Sequence, residues 1–453
     1  MSKYNKNGLT HGLASFWTGR IRGIATLEPE NFQAVLATKF NEWERPLFRA
    51  KAISPLLGPG ILTLDGPKWS HSRKLIKSKF TRQRIEANIA NNETHLQNLF
   101  LALPPTDSSG WTNAEDIYST LSRFAMDTST DFLYGVSAGT QACHLVREGK
   151  LHATPATISM DGFEQAFKAT QGHIAVRMRL GTSYWWHDGP SYRFAVNKLV
   201  AIMNTYLRGA IEVAKENLVL NEGEPGNVLE GFVAEERDFE WIANQARHLI
   251  IAGFETTTSL LGFSIGLMAE HPAIFEKLRA VVVETFGTET APKEEITFES
   301  LKNCKYLQYF INETLRLFPG GANIQRVAAQ NTVLPRGGGP DGDQPIAVPK
   351  GATVNISIYV AHRRKDVWGD DAHEFRPERW EGRKKGYDFI PFIAGPQICI
   401  GQQYSITQAA FVIVRMLMRY DKIERPEGVN NLKLGWQTVL APGDGTTIRL
   451  HRA

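Results

Sequence analysis

Apolar side chains recur every three or four residues through most of residues 111–318, the period of helices that turn one face to a core. The segment WIANQARHLIIAGFETTTSLLGFSIGLMAEHP, residues 241–272, predicts a helix of about thirty residues, longer than the average globular helix. It is apolar on several sides, so it belongs inside the protein. A Gly and three threonines at its middle are poor helix formers, and they predict a local bulge there. After Pro319 the rhythm changes. TVLPRGGGPDGDQPIAVPKGATVNISIYV alternates short β-branched runs with Gly and Pro, which predicts strands and turns. Residues 12–29 read as two further short strands, and Pro29 then opens a helix through ENFQAVLATKF. Near the end, Ile406, Ala410, Ile413, Leu417 and Tyr420 mark an amphipathic helix over 402–420, followed by a β-rich tail. The fold class is therefore mainly α with a smaller β region (α+β).

Composition narrows the picture. The 453 residues would suit about three domains by length alone, yet the pattern reads as one large unit spanning 1–453. With 42% hydrophobic and 22% charged residues the chain is globular, neither fibrous nor disordered. A net charge of +4 is too weak a basic footprint for a nucleic-acid partner. It suits an acidic protein partner or an anionic membrane surface equally well. Cys143, Cys304 and Cys399 form no pairing framework, which points to a reducing compartment. No apolar run reaches about 18 residues, so no bilayer-spanning helix is expected. The polar opening MSKYNKNGLTHG lacks the apolar core of a signal peptide, and the chain reads as soluble or peripheral.

Four segments carry candidate chemistry. The first is Phe392-Ile-Ala-Gly395-Pro-Gln397-Ile-Cys399-Ile-Gly401, directly before the 402–420 helix. A cysteine at a helix N-terminus is favoured as thiolate by the positive helix end and nearby N–H groups. Gly395 and Gly401 would let a flat group approach the backbone closely. The bland alternative is a buried structural cysteine. The second is Glu313-Thr-Leu-Arg316, whose i,i+3 spacing puts acid and base on one helix face, as in any surface ion pair. Third is Ala252-Gly253-Phe254-Glu255-Thr256-Thr257, where threonines bonding back to helix carbonyls would be the ordinary reading. Fourth is Trp69-Ser-His-Ser-Arg73, uninformative alone.

Together, with FRPERW at residues 375–380, these segments resemble the cytochrome P450 family from about residue 15 onward. The resemblance implies a haem (haem b) whose iron is ligated by Cys399, within a loop shaped by Phe392, Gly395 and Gly401. It implies a structural triad of Glu313, Arg316 and Arg379. It makes Glu255 the proton-relaying acid, Thr256 the hydroxyl that serves dioxygen, and Gly253 the space for it. Trp69, Arg73 and Arg326 match propionate-binding positions. One departure stands out: the family usually places Arg or His two residues before the cysteine, and this chain has Gln397, which predicts one weaker propionate contact.

The wording LGPGILTLDGPKWSHSRKLIKSKF, HRRKDVWGDDAHEFRPERW and GPQICIGQQYSITQAAFVIVRML resembles the fungal alkane- and fatty-acid-hydroxylating branch. This implies monooxygenation of a long alkyl chain, of a fatty acid, an alkane or a secondary metabolite, with electrons from a membrane-bound NADPH-cytochrome P450 reductase. The expected pocket walls are residues 53–62, 163–186, Ala252, 320–325 and 438–442. A basic stretch, Arg73, Lys74, Lys77, Lys79, Arg82 and Arg84, is the expected docking face for the reductase. The branch's hydrophobic anchor and hinge are not found in this sequence, so either the sequence is truncated or a peripheral place on the cytosolic face of the endoplasmic reticulum, or the cytoplasm, is expected. A haem-thiolate isomerase or dehydratase and a non-catalytic haem protein are the competing readings; the Glu255–Thr256 pair argues against both. RGGGPDG has no following Lys-Ser/Thr and reads as a turn. Tyr184-Trp185-Trp186-His187 reads as core or membrane-facing packing, with no second metal expected.

Overall fold

Every second residue of the strand Asn323–Ala328 is buried, and this alternation turns Ile324, Arg326 and Ala328 to the same inner face. That strand lies in a five-stranded sheet, ordered Thr10–Ala14, Ile21–Thr26, Thr353–Ser357, Asn323–Ala328 and Trp43–Glu44. All neighbours pair antiparallel except Ile21–Thr26 with Thr353–Ser357, which are parallel. The computed structural model describes residues 9–14, 21–152, 158–436 and 438–452. They divide into two compact units, of which the first comprises Met1–Ala50 and Asn312–Cys399.

Ile24, Phe32, Val35, Leu36, Trp43, Ile324, Val354 and Ile356 fill the core of this first unit. Of the two strands expected over 12–29, the described parts are Thr10–Ala14 and Ile21–Thr26; residues 15–20 lie outside the described residues. Pro29 opens a helix as expected, but after Gln33 it widens into a π-turn over Ala34–Thr38. The RGGGPDG segment is a hairpin turn between Thr332–Gly338 and Gln344–Val348. Gly339 and Gly342 supply the positive φ it needs, at 73° and 75°.

The second unit comprises Lys51–Ile311 and Ile400–Ala453. Its axis is the helix Phe239–Glu270, capped by Asp238, whose side chain accepts from the Trp241 N–H. The helix packs against Tyr118–Tyr134 and Gln402–Arg419. The expected bulge is missing: the helix is continuous from end to end. The Thr256 and Thr258 hydroxyls donate to the carbonyls of Ala252 (2.9 Å) and Phe254 (2.8 Å), so they bond to the helix without breaking its ladder. This helix is long and apolar enough by composition to cross a membrane, but it is mostly buried in protein, as the core helix of a globular unit is. Gln402–Arg419 also departs from its amphipathic pattern. It is buried almost all round, with Arg415 and Arg419 reaching outward to Glu93 and Glu289. The β tail follows as expected, Tyr420–Glu424 pairing antiparallel with Thr447–Arg452 and Leu434–Trp436 with Leu440–Pro442.

Candidate active site

In the first unit the loop before Cys399 folds back on itself. The Cys399 N–H donates to the Phe392 carbonyl at 3.0 Å, and the thiol-bearing residue is exposed. Ile393 sits at φ +63°, a conformation that costs a β-branched residue about 1–2 kcal/mol. Gly395, at φ +69°, admits no side chain: a Cβ there would lie 1.8 Å from the Leu36 carbonyl oxygen. Its hydrogen therefore serves a close approach to the Ala34–Thr38 turn. Gly401 caps the following helix at φ −79°, a conformation open to any residue.

Arg326 and Gln397 meet inside this unit, both nearly buried, with the Arg326 Nη2 donating to Gln397 Oε1 at 2.6 Å. Gln397 thus acts as an acceptor that orients Arg326, which neither Arg nor protonated His could do.

Behind the loop stands the acid–base motif, joined as expected by Arg379. Glu313 and Arg316 are fully buried and bonded twice, at 2.8 Å each. Arg379 Nε reaches Glu313 at 3.3 Å, and the Trp380 indole and the Arg376 backbone N–H complete its shell at 3.0 Å each. Arg316 also donates to the carbonyls of His362, Ala372 and Glu374. His362, which the sequence reading overlooked, ties this cluster to the loop. Its Nε2 accepts from the Ile390 N–H (3.0 Å), which leaves Nδ1–H to donate to the Arg316 carbonyl (3.1 Å). Burial, aided by the nearby Arg316 and Arg363 cations, pushes its pKa down to about 3, so the ring is neutral.

In the second unit, Glu255 and Thr256 lie mid-way along the long helix, and Glu255 is 5% exposed. Burial pushes its carboxyl up to about 7, against the opposing hydrogen bonds of Thr438 and Gln171. Gln171 and Thr438 lie 84 and 183 residues away, inside the segments 163–186 and 438–442 that the resemblance marks as pocket walls, but no motif singles out either residue. The face of Gly253 is turned to Ser129, 3.2 Å from a built Cβ, so the glycine lets the helix Tyr118–Tyr134 pack closely. Trp69 and Arg73 stack on one face of Gly66–Lys77, the guanidinium 5.6 Å from the ring centroid.

The basic stretch is only partly a surface. Lys79 donates to the Pro225 carbonyl (2.5 Å), Arg84 to the carbonyls of Lys79 and Phe132, and Arg82 pairs with Glu299 (2.7 Å). Lys74 and Lys77 remain exposed to solvent. Trp185 and Trp186 are 60% and 70% exposed, which excludes core packing. His187 instead pairs with His173 at 2.8 Å.

The sequence model of the family described as Cytochrome P450 matches residues 11–448. The chain belongs to the cytochrome P450 family. It is similar to the Fusarium "Cytochrome P450 monooxygenase g430", 38% identical over 410 residues that cover 89% of this chain and 71% of that protein. It is also 38% identical to "Cytochrome P450 52A13" of Debaryomyces hansenii, over 88% of this chain and 76% of that one. For "Cytochrome P450 52A1" of Candida tropicalis the identity is again 38%, over 94% and 78%. Membership makes the chain a P450 monooxygenase that uses haem iron, a redox partner and an apolar substrate. The donor set fits a haem: an exposed cysteine on a glycine-shaped loop, and a buried guanidinium held by an amide.

Proposed function

We propose that this P450 hydroxylates an elongated apolar molecule, a long alkyl chain with or without a terminal carboxylate. Haem b would be held by the Cys399 thiolate, with Trp69, Arg73 and Arg326 binding its propionates and Phe392, Gly395 and Gly401 shaping the loop. When bound, haem supplies activation of dioxygen for insertion into a C–H bond, and a thiolate ligand favours the required O–O cleavage. Glu255 takes protons from solvent and passes them on, while the Thr256 hydroxyl orients the acceptor. Electrons come from an NADPH-cytochrome P450 reductase, and the enzyme works at the cytosolic face of the endoplasmic reticulum.

The observation that carries this reading is a buried acid, its carboxyl pushed up to about 7 by burial, next to a threonine at the middle of a long buried helix. Such an acid exchanges protons at neutral pH, which monooxygenation needs and peroxide rearrangement does not. The substrate class rests on resemblance to the alkane- and fatty-acid-hydroxylating branch. The test is reconstitution with the reductase and a panel of C12 to C18 acids and alkanes. Spectral shifts and hydroxylated products are expected, and Thr256→Ala should divert NADPH electrons to hydrogen peroxide roughly ten-fold or more. No shift and no product across the panel sinks the substrate class. Unchanged coupling in Thr256→Ala sinks its role.

A further inference from the structure

The helix Phe163–Arg179 presents Phe163, Phe167 and Gln171 at i, i+4 and i+8, one stripe down one face. The two phenyl rings pack edge-on against Phe254, with centroids 5.4 and 4.8 Å away. One turn further, the stripe changes from apolar to amide, and Gln171 meets the residue next to Phe254. Its Nε2 donates to Glu255 Oε1 and to the Thr438 hydroxyl (3.2 Å). Thr438 in turn donates to the same Glu255 oxygen at 2.6 Å. Thr438 lies between the strands Leu434–Trp436 and Leu440–Pro442, and Arg179 ties this hairpin to the helix by donating to the Trp436 carbonyl at 2.6 Å. Three elements thus converge on one carboxyl group.

We propose that Gln171 and Thr438 are positioning residues that hold the Glu255 carboxyl, so that proton delivery depends on how the helix Phe163–Arg179 and the Leu434–Pro442 hairpin sit against the Phe239–Glu270 helix. This rests on the reading of Glu255 as the proton-relaying acid. Both donors are neutral. A lysine or arginine in their place would fix the carboxyl as an anion, whereas neutral donors leave it able to gain and lose a proton. Among the described residues, the phenol of Tyr118, from the helix Tyr118–Tyr134, feels Glu255; it is pushed up mainly by burial and further by the Glu255 charge. Displacing either outer element removes hydrogen bonds that favour the carboxylate, leaving the acid more strongly protonated and free to turn.

The test reads the carboxyl itself. Infrared difference spectra of the holoenzyme through a pH titration should show a protonated-carboxyl band, assigned by its loss in Glu255→Gln. Gln171→Leu and Thr438→Val should each raise its midpoint by about one pH unit, because each removes a donor to the anion. The pH profile of product formed per NADPH should move the same way. Thr438→Ser keeps the donor and should restore the original midpoint. An unmoved midpoint in the Gln171→Leu/Thr438→Val double variant overturns the proposal, as does Thr438→Ser behaving like Thr438→Val. If Glu255→Gln leaves coupling intact, the proton-relay reading falls, while the band midpoints still decide whether the two residues hold the carboxyl.

Discussion

Two buried glutamates on two helices are held in opposite ways. Glu313, in the first unit, is fully enclosed and faces two guanidinium groups, an indole N–H and a backbone N–H. Glu255, in the second, is nearly as enclosed but receives only neutral donors among its described partners, Gln171 and Thr438. Burial is the same physical cost in both places; the compensation differs. Paired cations turn a buried carboxylate into a fixed joint, while neutral donors leave one that titrates near pH 7. The first unit uses its acid to hold a loop. The second, on the function proposed above, uses its acid to move protons.

Breaking the joint should have the largest effect. Arg316→Lys loses the fork that serves Glu313 twice and three carbonyls besides, leaving a buried charge poorly paired at a cost of about 3–5 kcal/mol. Chemical denaturation and haem content should both show it; a variant as stable as the parent would remove the distinction drawn between the two acids. Gly395→Ala should come next, at about 3 kcal/mol, because a left-handed φ and the Leu36 carbonyl both exclude the methyl group. Thermal unfolding measures it, and an unshifted midpoint would mean the loop relaxes freely.

The pH dependence of stability sharpens the comparison. The folded pKa of Glu255, about 7, lies above the ordinary carboxylate value of 4.5, so its contribution is present below about 4.5 and lost as pH rises through about 7. His362 runs the other way. Its folded pKa of about 3 lies below the ordinary imidazole value of 6.5, so the unfolded chain binds the extra proton and stability falls as pH drops below about 6.5. Glu255→Gln should therefore make the stability curve rise more steeply between pH 4.5 and 7. His362→Asn should flatten the fall on the acid side. Denaturant midpoints across that range check both, and an unchanged slope in either variant refutes the corresponding assignment.

The smallest effect concerns the reductase. Reversing Lys74 and Lys77 to Glu should slow reduction on the order of ten-fold at low salt, fading as exposed charges are screened. Lys79→Glu should instead destabilise the protein, since its ammonium group holds the Pro225 carbonyl. Stopped-flow reduction across a salt series separates the two, and equal behaviour of all three lysines would restore the whole stretch as a docking face.

By itself the sequence determined the helical body and the strand-rich region after Pro319 through local periodicity, and the family through its motifs; the Glu313–Arg316–Arg379 joint followed from the resemblance, since Arg379 lies 66 residues from Glu313. It also named Cys399, Glu255 and Thr256 as candidates. Tertiary structure alone decided what those spacings could not encode. Gln171 and Thr438 reach Glu255 from segments 84 and 183 residues distant, so no local pattern announces them. The uses of Gly253 and Gly395 follow from which neighbour occupies the space of a missing Cβ, namely Ser129 and Leu36. The mid-helix threonines were expected to disturb their helix, and a weak propensity lost to packing on every side. Likewise Gln397 read as a weakened anion contact until its partner was seen: a side-chain amide presents its oxygen to any donor, and here the donor is Arg326.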